Sequence, residues 1–126
     1  MEFRSPLSRA QGLGSAHHGS VHWWQQRITA LALLPLGLWF VFSLAQLPSA
    51  AYEDVRQWIA HPVNSVLLLS FTLMVFYHAA LGLQVIIEDY IHAKWLHLLT
   101  TLALKSALFL LALATLSSIL QILTRA

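Results

Sequence analysis

Twenty consecutive residues, Ile28 to Leu47, contain no Asp, Glu, Lys or Arg, and two further runs of this kind follow at Val63–Ile87 and Ser106–Leu123. A helix of about 20 apolar residues is about 30 Å long, the thickness of a bilayer's hydrocarbon core. A chain of 126 residues has no soluble core large enough to absorb three such runs. Composition agrees: 58% of the residues are hydrophobic and 10% charged, against about 25% charged in a soluble domain. The sequence therefore predicts an all-α membrane protein with three transmembrane helices, spanning about 28–47, 63–87 and 106–123, within a membrane domain at 21–126.

The remaining segments fit between these spans. Residues 1–20, with Arg4, Arg9, His17 and His18, read as a polar N-terminal tail. They lack the apolar stretch and closely following small-residue site of a cleaved signal peptide. Pro35 and Gly37 lie inside the first run, which a membrane helix tolerates when neighbours satisfy the freed carbonyl; they predict packing against another helix. Pro48–Pro62 reads as a loop with a short surface helix, and Glu88, Asp89 and Tyr90 end the second span. Lys105 marks the near end of the third span, or lies inside it and snorkels.

Three spans put the tail and the loop after the second span on one side. That side carries Arg4, Arg9, Arg27, Lys94 and Lys105, and the other Arg56 and Arg125. The bias predicts a cytoplasmic N-terminus, or a matrix one in a mitochondrion. Trp23, Trp24, Tyr90 and Trp95 fall at this inner boundary, and Tyr52 and Trp58 at the outer one. The basic residues are too few and too mixed with apolar ones to form a nucleic-acid surface. With no cysteine, disulfides, thiolate metal sites and cysteine nucleophiles are excluded. No Ser/His/Asp set, phosphate loop or HExxH motif occurs.

His78 is the most informative residue. Nine residues before Ile87, it lies roughly 13 Å from the inner edge, near the middle of the hydrocarbon core, where an ionisable group calls for a partner. It is either a neutral imidazole bonded to another helix or an axial ligand to a haem iron. Gly82, one turn along the same face, would let a flat ring approach the backbone. Asp89 follows His78 by eleven residues, which returns it to within about 20° of the same helical face, roughly 16 Å nearer the inner surface. Asp89 and Tyr90 are boundary residues of a span or the inner end of this stripe. Arg27 is a positive-inside anchor, and it also stands at the depth where carboxylates of a haem on His78 could pair with a guanidinium. The first and third runs hold no histidine, cysteine or methionine, so a second axial ligand would come from another chain.

The WWQQRITA stretch before the first span and HAALGLQVIIEDY from His78 to Tyr90, set in three spans, resemble the small cytochrome b-associated hydrophobic membrane anchor of succinate dehydrogenase. That family carries a histidine in its second span followed, after ten residues, by Asp-Tyr. The resemblance runs from about His22 to Leu123. It implies a place in a heteromeric helical bundle of the bacterial inner membrane, or of the mitochondrial one. His78 would be one axial ligand of haem b, with the other from the larger cytochrome b anchor subunit. Arg27 would stabilise a haem propionate. Tyr90 would donate to a ubiquinone carbonyl, and Asp89 would hold that site or supply protons. A flavoprotein subunit and an iron–sulfur subunit are the implied partners, with catalysis belonging to the complex. An anchor of a fumarate reductase and a non-redox scaffold subunit are the competing readings.

Overall fold

The computed structural model describes residues 5–7 and 19–124. Most of the tail expectation lies outside these residues. The described chain forms three long helices, α1 (Gly19–Ala45), α3 (Pro62–Tyr90) and α4 (Lys94–Thr124), with a short α2 (Tyr52–Ala60) before α3, and no strand among the described residues. The long helices have 27, 29 and 31 residues, which corresponds to about 40, 43 and 46 Å, each exceeding a hydrocarbon core of about 30 Å. All three are apolar enough to cross a membrane.

The helices outrun the uncharged stretches because the backbone ladder continues through polar residues at the membrane boundary. α1 starts nine residues before Ile28 and stops at Ala45, where Gln46 N–H and Leu47 N–H bond back to Ser43 and Leu44 in tighter turns. α4 starts at Lys94, twelve residues before the predicted Ser106. The linker to α3 is therefore only Ile91–Ala93, and Lys105 lies eleven residues inside α4. The longer helices also bring His22 into α1 and His97 into α4, so the first and third helices do contain imidazoles. Both sit toward the ends that meet the loop after α3.

α3 packs against both α1 and α4, whereas the backbones of α1 and α4 do not approach each other. The three helices form a row with α3 in the middle, and α2 lies across α3 and α4. Contacts of Thr29 with His78 and Gly37 with Phe71 pair rising numbers on α1 with falling ones on α3, so the two run antiparallel. The end at which α1 begins, α3 stops and α4 starts is called the near end, and the end carrying α2 the far end. Little of the chain is buried within itself. Among the described apolar residues only Ile59, Leu81 and Ile119 are enclosed, beside the polar Thr29, Ser65 and Thr72. Ser65 and Thr72 return their hydroxyls to Pro62 and Leu68 of their own helix, both at 2.8 Å. Small, self-satisfied side chains let helices approach closely in lipid, where apolar burial gives no drive.

At the far end the α1/α3 seam is aromatic. Phe40 stacks on Phe71 with centroids 5.0 Å apart, and Trp58 of α2 stacks on Trp39 at 5.8 Å and meets Phe40 edge-on. The Trp58 indole N–H donates to Ser43, while Asn64 donates to the Trp58 carbonyl at 3.0 Å. Trp58, at the far boundary, is thus also a clamp between α2 and α1, with its N–H and ring engaged inside the chain. Tyr52 is exposed, as are Trp23, Trp24, Tyr90 and Trp95 at the near end. Gly37, below the cluster, leaves 4.0 Å between an added Cβ and the Phe71 ring edge, so it and Pro35 lie on a helix that packs, as expected. α2 is held by its own charges. Arg56 donates to both oxygens of Glu53 at 3.1 and 3.0 Å and Gln57 adds a bond at 3.0 Å; the Arg56 and Gln57 bonds hold the Glu53 carboxyl below its ordinary range, and Glu53 in turn raises Arg56. Glu53 and Asp54 also sit in the first turn, where the helix dipole favours negative charge.

Candidate functional site

α3 runs unbroken from Pro62 to Tyr90, its last turn closed by Ile91 N–H on the Ile87 carbonyl at 2.9 Å. The twelve residues from His78 to Asp89 are therefore all helical, and the two share a stripe as their spacing requires. His78 stands twelve residues before the helix end, about 18 Å along an axis of about 43 Å. It faces α1. Its Nδ1 lies 2.8 Å from Thr29 Oγ1, and its Nε2 lies 3.3 Å from Gln26 Nε2.

Thr29 and Gln26 are i and i−3 on α1, one face of one helix. Thr29 is 4% exposed and donates its hydroxyl to the carbonyls of Gln25 at 2.8 Å and Gln26 at 3.1 Å. Gln26 lies over Gly82: a Cβ added there would stand 3.3 Å from the Gln26 amide nitrogen. The glycine thus makes room for a planar group against α3, filled here by a flexible carboxamide. The Gln26 Oε1 is buried and without a partner among the described residues, and so is His22 Nε2, one turn earlier on the same face. Native chains leave few buried polar atoms unpaired, and each calls for an explanation.

The other expected residues stand apart from His78. Arg27 is exposed and lies over the Trp23 ring, 5.4 Å from its centroid. Asp89 is exposed and Tyr90, 80% exposed, is the last residue of α3. Among the described residues no hydrogen bond, ion pair or ring contact joins any two of Arg27, His78, Asp89 and Tyr90. They mark a depth gradient along the near half of the row: one imidazole at the middle, and a cation, an acid and a phenol at the end. Thr29, Gln26 and His22 belong to the same seam but escaped the sequence reading. The signal lay in their spacing, 22, 26 and 29, a polar stripe leading into an uncharged run.

On the opposite flank of α3 an apolar groove of about 390 Å³ separates it from α4, with Tyr77, Gln84 and Lys105 on its walls. Lys105 makes no hydrogen bond or ion pair among the described residues, whereas Gln84 donates to Glu88 at 2.7 Å.

Comparison with known proteins bears on this arrangement. Residues 1–122 match the family model described as the succinate dehydrogenase/fumarate reductase transmembrane subunit, a match that reaches through the tail, beyond the His22 limit of the resemblance. The chain is 37% identical over 104 residues to the succinate dehydrogenase hydrophobic membrane anchor subunit of Rickettsia bellii (strain RML369-C), covering 82% of this chain and 83% of that one. It is 34% identical over 91 residues to the same subunit of Rickettsia conorii (strain ATCC VR-613 / Malish 7), covering 71% and 72%. The subunit of Paracoccus denitrificans is 29% identical over 90 residues, covering 71% and 70%. No solved structure matches the chain.

Proposed function

The chain belongs to the succinate dehydrogenase hydrophobic membrane anchor family, a multi-pass membrane subunit of a larger complex, and on that premise we propose that it binds haem b and helps form a ubiquinone-reduction site. His78 is the axial ligand this subunit offers, with the second from a larger cytochrome b anchor subunit. The observation that carries this reading is the mid-helix imidazole beside Gly82, where, among the described residues, the tip of Gln26 is what lies against the missing side chain from outside α3. The donor set fits a single axial ligand: one imidazole on a helix face, no cluster of three or more His, Asp or Glu among the described residues, and a partnerless amide oxygen facing the same seam.

Bound haem supplies one-electron redox at iron. The chain's own residues do the rest. Thr29 and α1 hold the imidazole at its depth. Arg27, at the near end of α1, offers a guanidinium for a carboxylate; to reach one it leaves its place over Trp23. Tyr90 donates its hydroxyl to a quinone carbonyl and Asp89 holds that site or relays protons, so that quinone takes two electrons and two protons at the near end. Succinate oxidation belongs to a flavoprotein subunit and single-electron delivery to an iron–sulfur subunit. The near end faces the cytoplasm across a bacterial inner membrane, where these soluble partners dock.

One observation favours a second reading, a scaffold subunit without redox function: both nitrogens of His78 already meet α1. Purification in mild detergent separates the two. The redox reading expects a flavoprotein, an iron–sulfur protein and a second anchor to copurify, with a b-type reduced-minus-oxidised spectrum. A complex of this composition that is free of haem would remove the ligand role of His78.

A further inference from the structure

Thr29 and Gln26 meet the two ring nitrogens of His78 differently. The Thr29 hydroxyl has one hydrogen and three neighbours in reach, the Gln25 carbonyl at 2.8 Å, the Gln26 carbonyl at 3.1 Å and His78 Nδ1 at 2.8 Å. With that hydrogen on a carbonyl, which can only accept, Thr29 accepts from an Nδ1–H, and a neutral imidazole then keeps the Nε2 lone pair free. In that tautomer Nε2 accepts from the Gln26 amide nitrogen at 3.3 Å. This orientation leaves the Gln26 Oε1 buried and without a partner among the described residues.

We propose that Thr29 is the positioning residue that fixes His78 as its Nδ1–H tautomer, so that Nε2 is the one nitrogen able to coordinate, and that the Gln26 carboxamide over Gly82 is the placeholder which Nε2 exchanges for a metal. The inference rests on the haem reading and deepens it. A ligating histidine commonly has its other ring nitrogen tied to an acceptor, which sets tautomer, ring orientation and ligand basicity. Here that acceptor is a hydroxyl, 4% exposed, anchored to two carbonyls of its own helix. The exchange is inexpensive because Gln26 trades one weak contact for freedom to pair its stranded oxygen.

The test uses the whole complex, with ferric low-spin resonance and haem loss to excess apomyoglobin as readouts. Thr29→Val, which keeps shape and removes the acceptor, should weaken haem retention about 10–100-fold, the usual cost of losing such a partner, and shift the low-spin signal. Thr29→Ser should restore both. Gln26→Ala should hold haem at least as tightly as wild type, since nothing must be displaced. Thr29→Val with unaltered retention and signal, in a complex where His78→Ala changes both, would overturn the inference while leaving the haem reading intact. A wild-type complex without haem would overturn both. Should Thr29→Val fail to assemble, the ¹⁵N shifts of His78 in wild-type complex from haem-deficient cells decide: an Nδ1–H tautomer supports the assignment and an Nε2–H tautomer ends it.

Discussion

The two halves of the α1/α3 seam are built from opposite materials. The far half is closed within the chain by Trp39, Phe40, Trp58 and Phe71, with the Trp58 indole and carbonyl both bonded. The near half is polar, and the Gln26 Oε1 and His22 Nε2 lie buried there without partners among the described residues. One half fastens the helices; the other keeps unsatisfied polarity at a depth where it is costly. On the haem and quinone reading proposed above, function falls in the near half and stability in the far half.

The comparison can be broken by substitution. His78→Ala should have the largest effect, removing one axial ligand and changing the α-band and the ferric low-spin signal of the complex; an unaltered spectrum would detach the near half from haem. Tyr90→Phe should lower quinone reduction at least tenfold while succinate oxidation with a soluble artificial acceptor stays intact. Equal loss of both activities would show a failure of assembly instead. In the far half, Trp58→Ala should destabilise the subunit by roughly 2 kcal/mol, below the range for a fully buried tryptophan, read as a lower dissociation temperature in detergent. Its haem spectrum should be unchanged, and a shifted spectrum would couple the halves.

Gly82→Ala sharpens the boundary between them. Among the described residues outside α3 its Cβ meets the movable end of Gln26 at 3.3 Å, so the haem-free complex should lose less than about 1 kcal/mol, whereas haem retention should fall. The smallest effect belongs to Glu53→Gln in α2. The Arg56 and Gln57 bonds lower the Glu53 pKa below 4.5, so the contribution of this carboxylate is present above that value and lost as pH falls through the lowered one. The variant should show a slightly shallower loss of thermal stability below about pH 4.5, and an unchanged slope would mean that the pair is fully screened.

Much of this architecture is legible from the uncharged runs, because three apolar stretches admit few alternatives in a bilayer. Helix ends were less so. Nothing in side-chain polarity stops a helix at Lys105 or Arg27, and the backbone continues to Lys94 and Gly19. At the site, periodicity put His78, Gly82 and Asp89 on one stripe, since rotation along a single helix follows from number alone. What faces that stripe depends on how α1 and α3 are set against each other, so Thr29 and Gln26 emerged only from the fold. Trp58 follows the same rule: its position near a boundary is sequence information, while its stacking on Trp39 is tertiary.

Because the backbones of α1 and α4 flank α3 without approaching each other, the described chain is a wall one helix thick, not a vessel. A wall has no inside until a second wall is raised against it. Most of the chain's apolar side chains are therefore left to lipid and to neighbouring subunits rather than to its own helices.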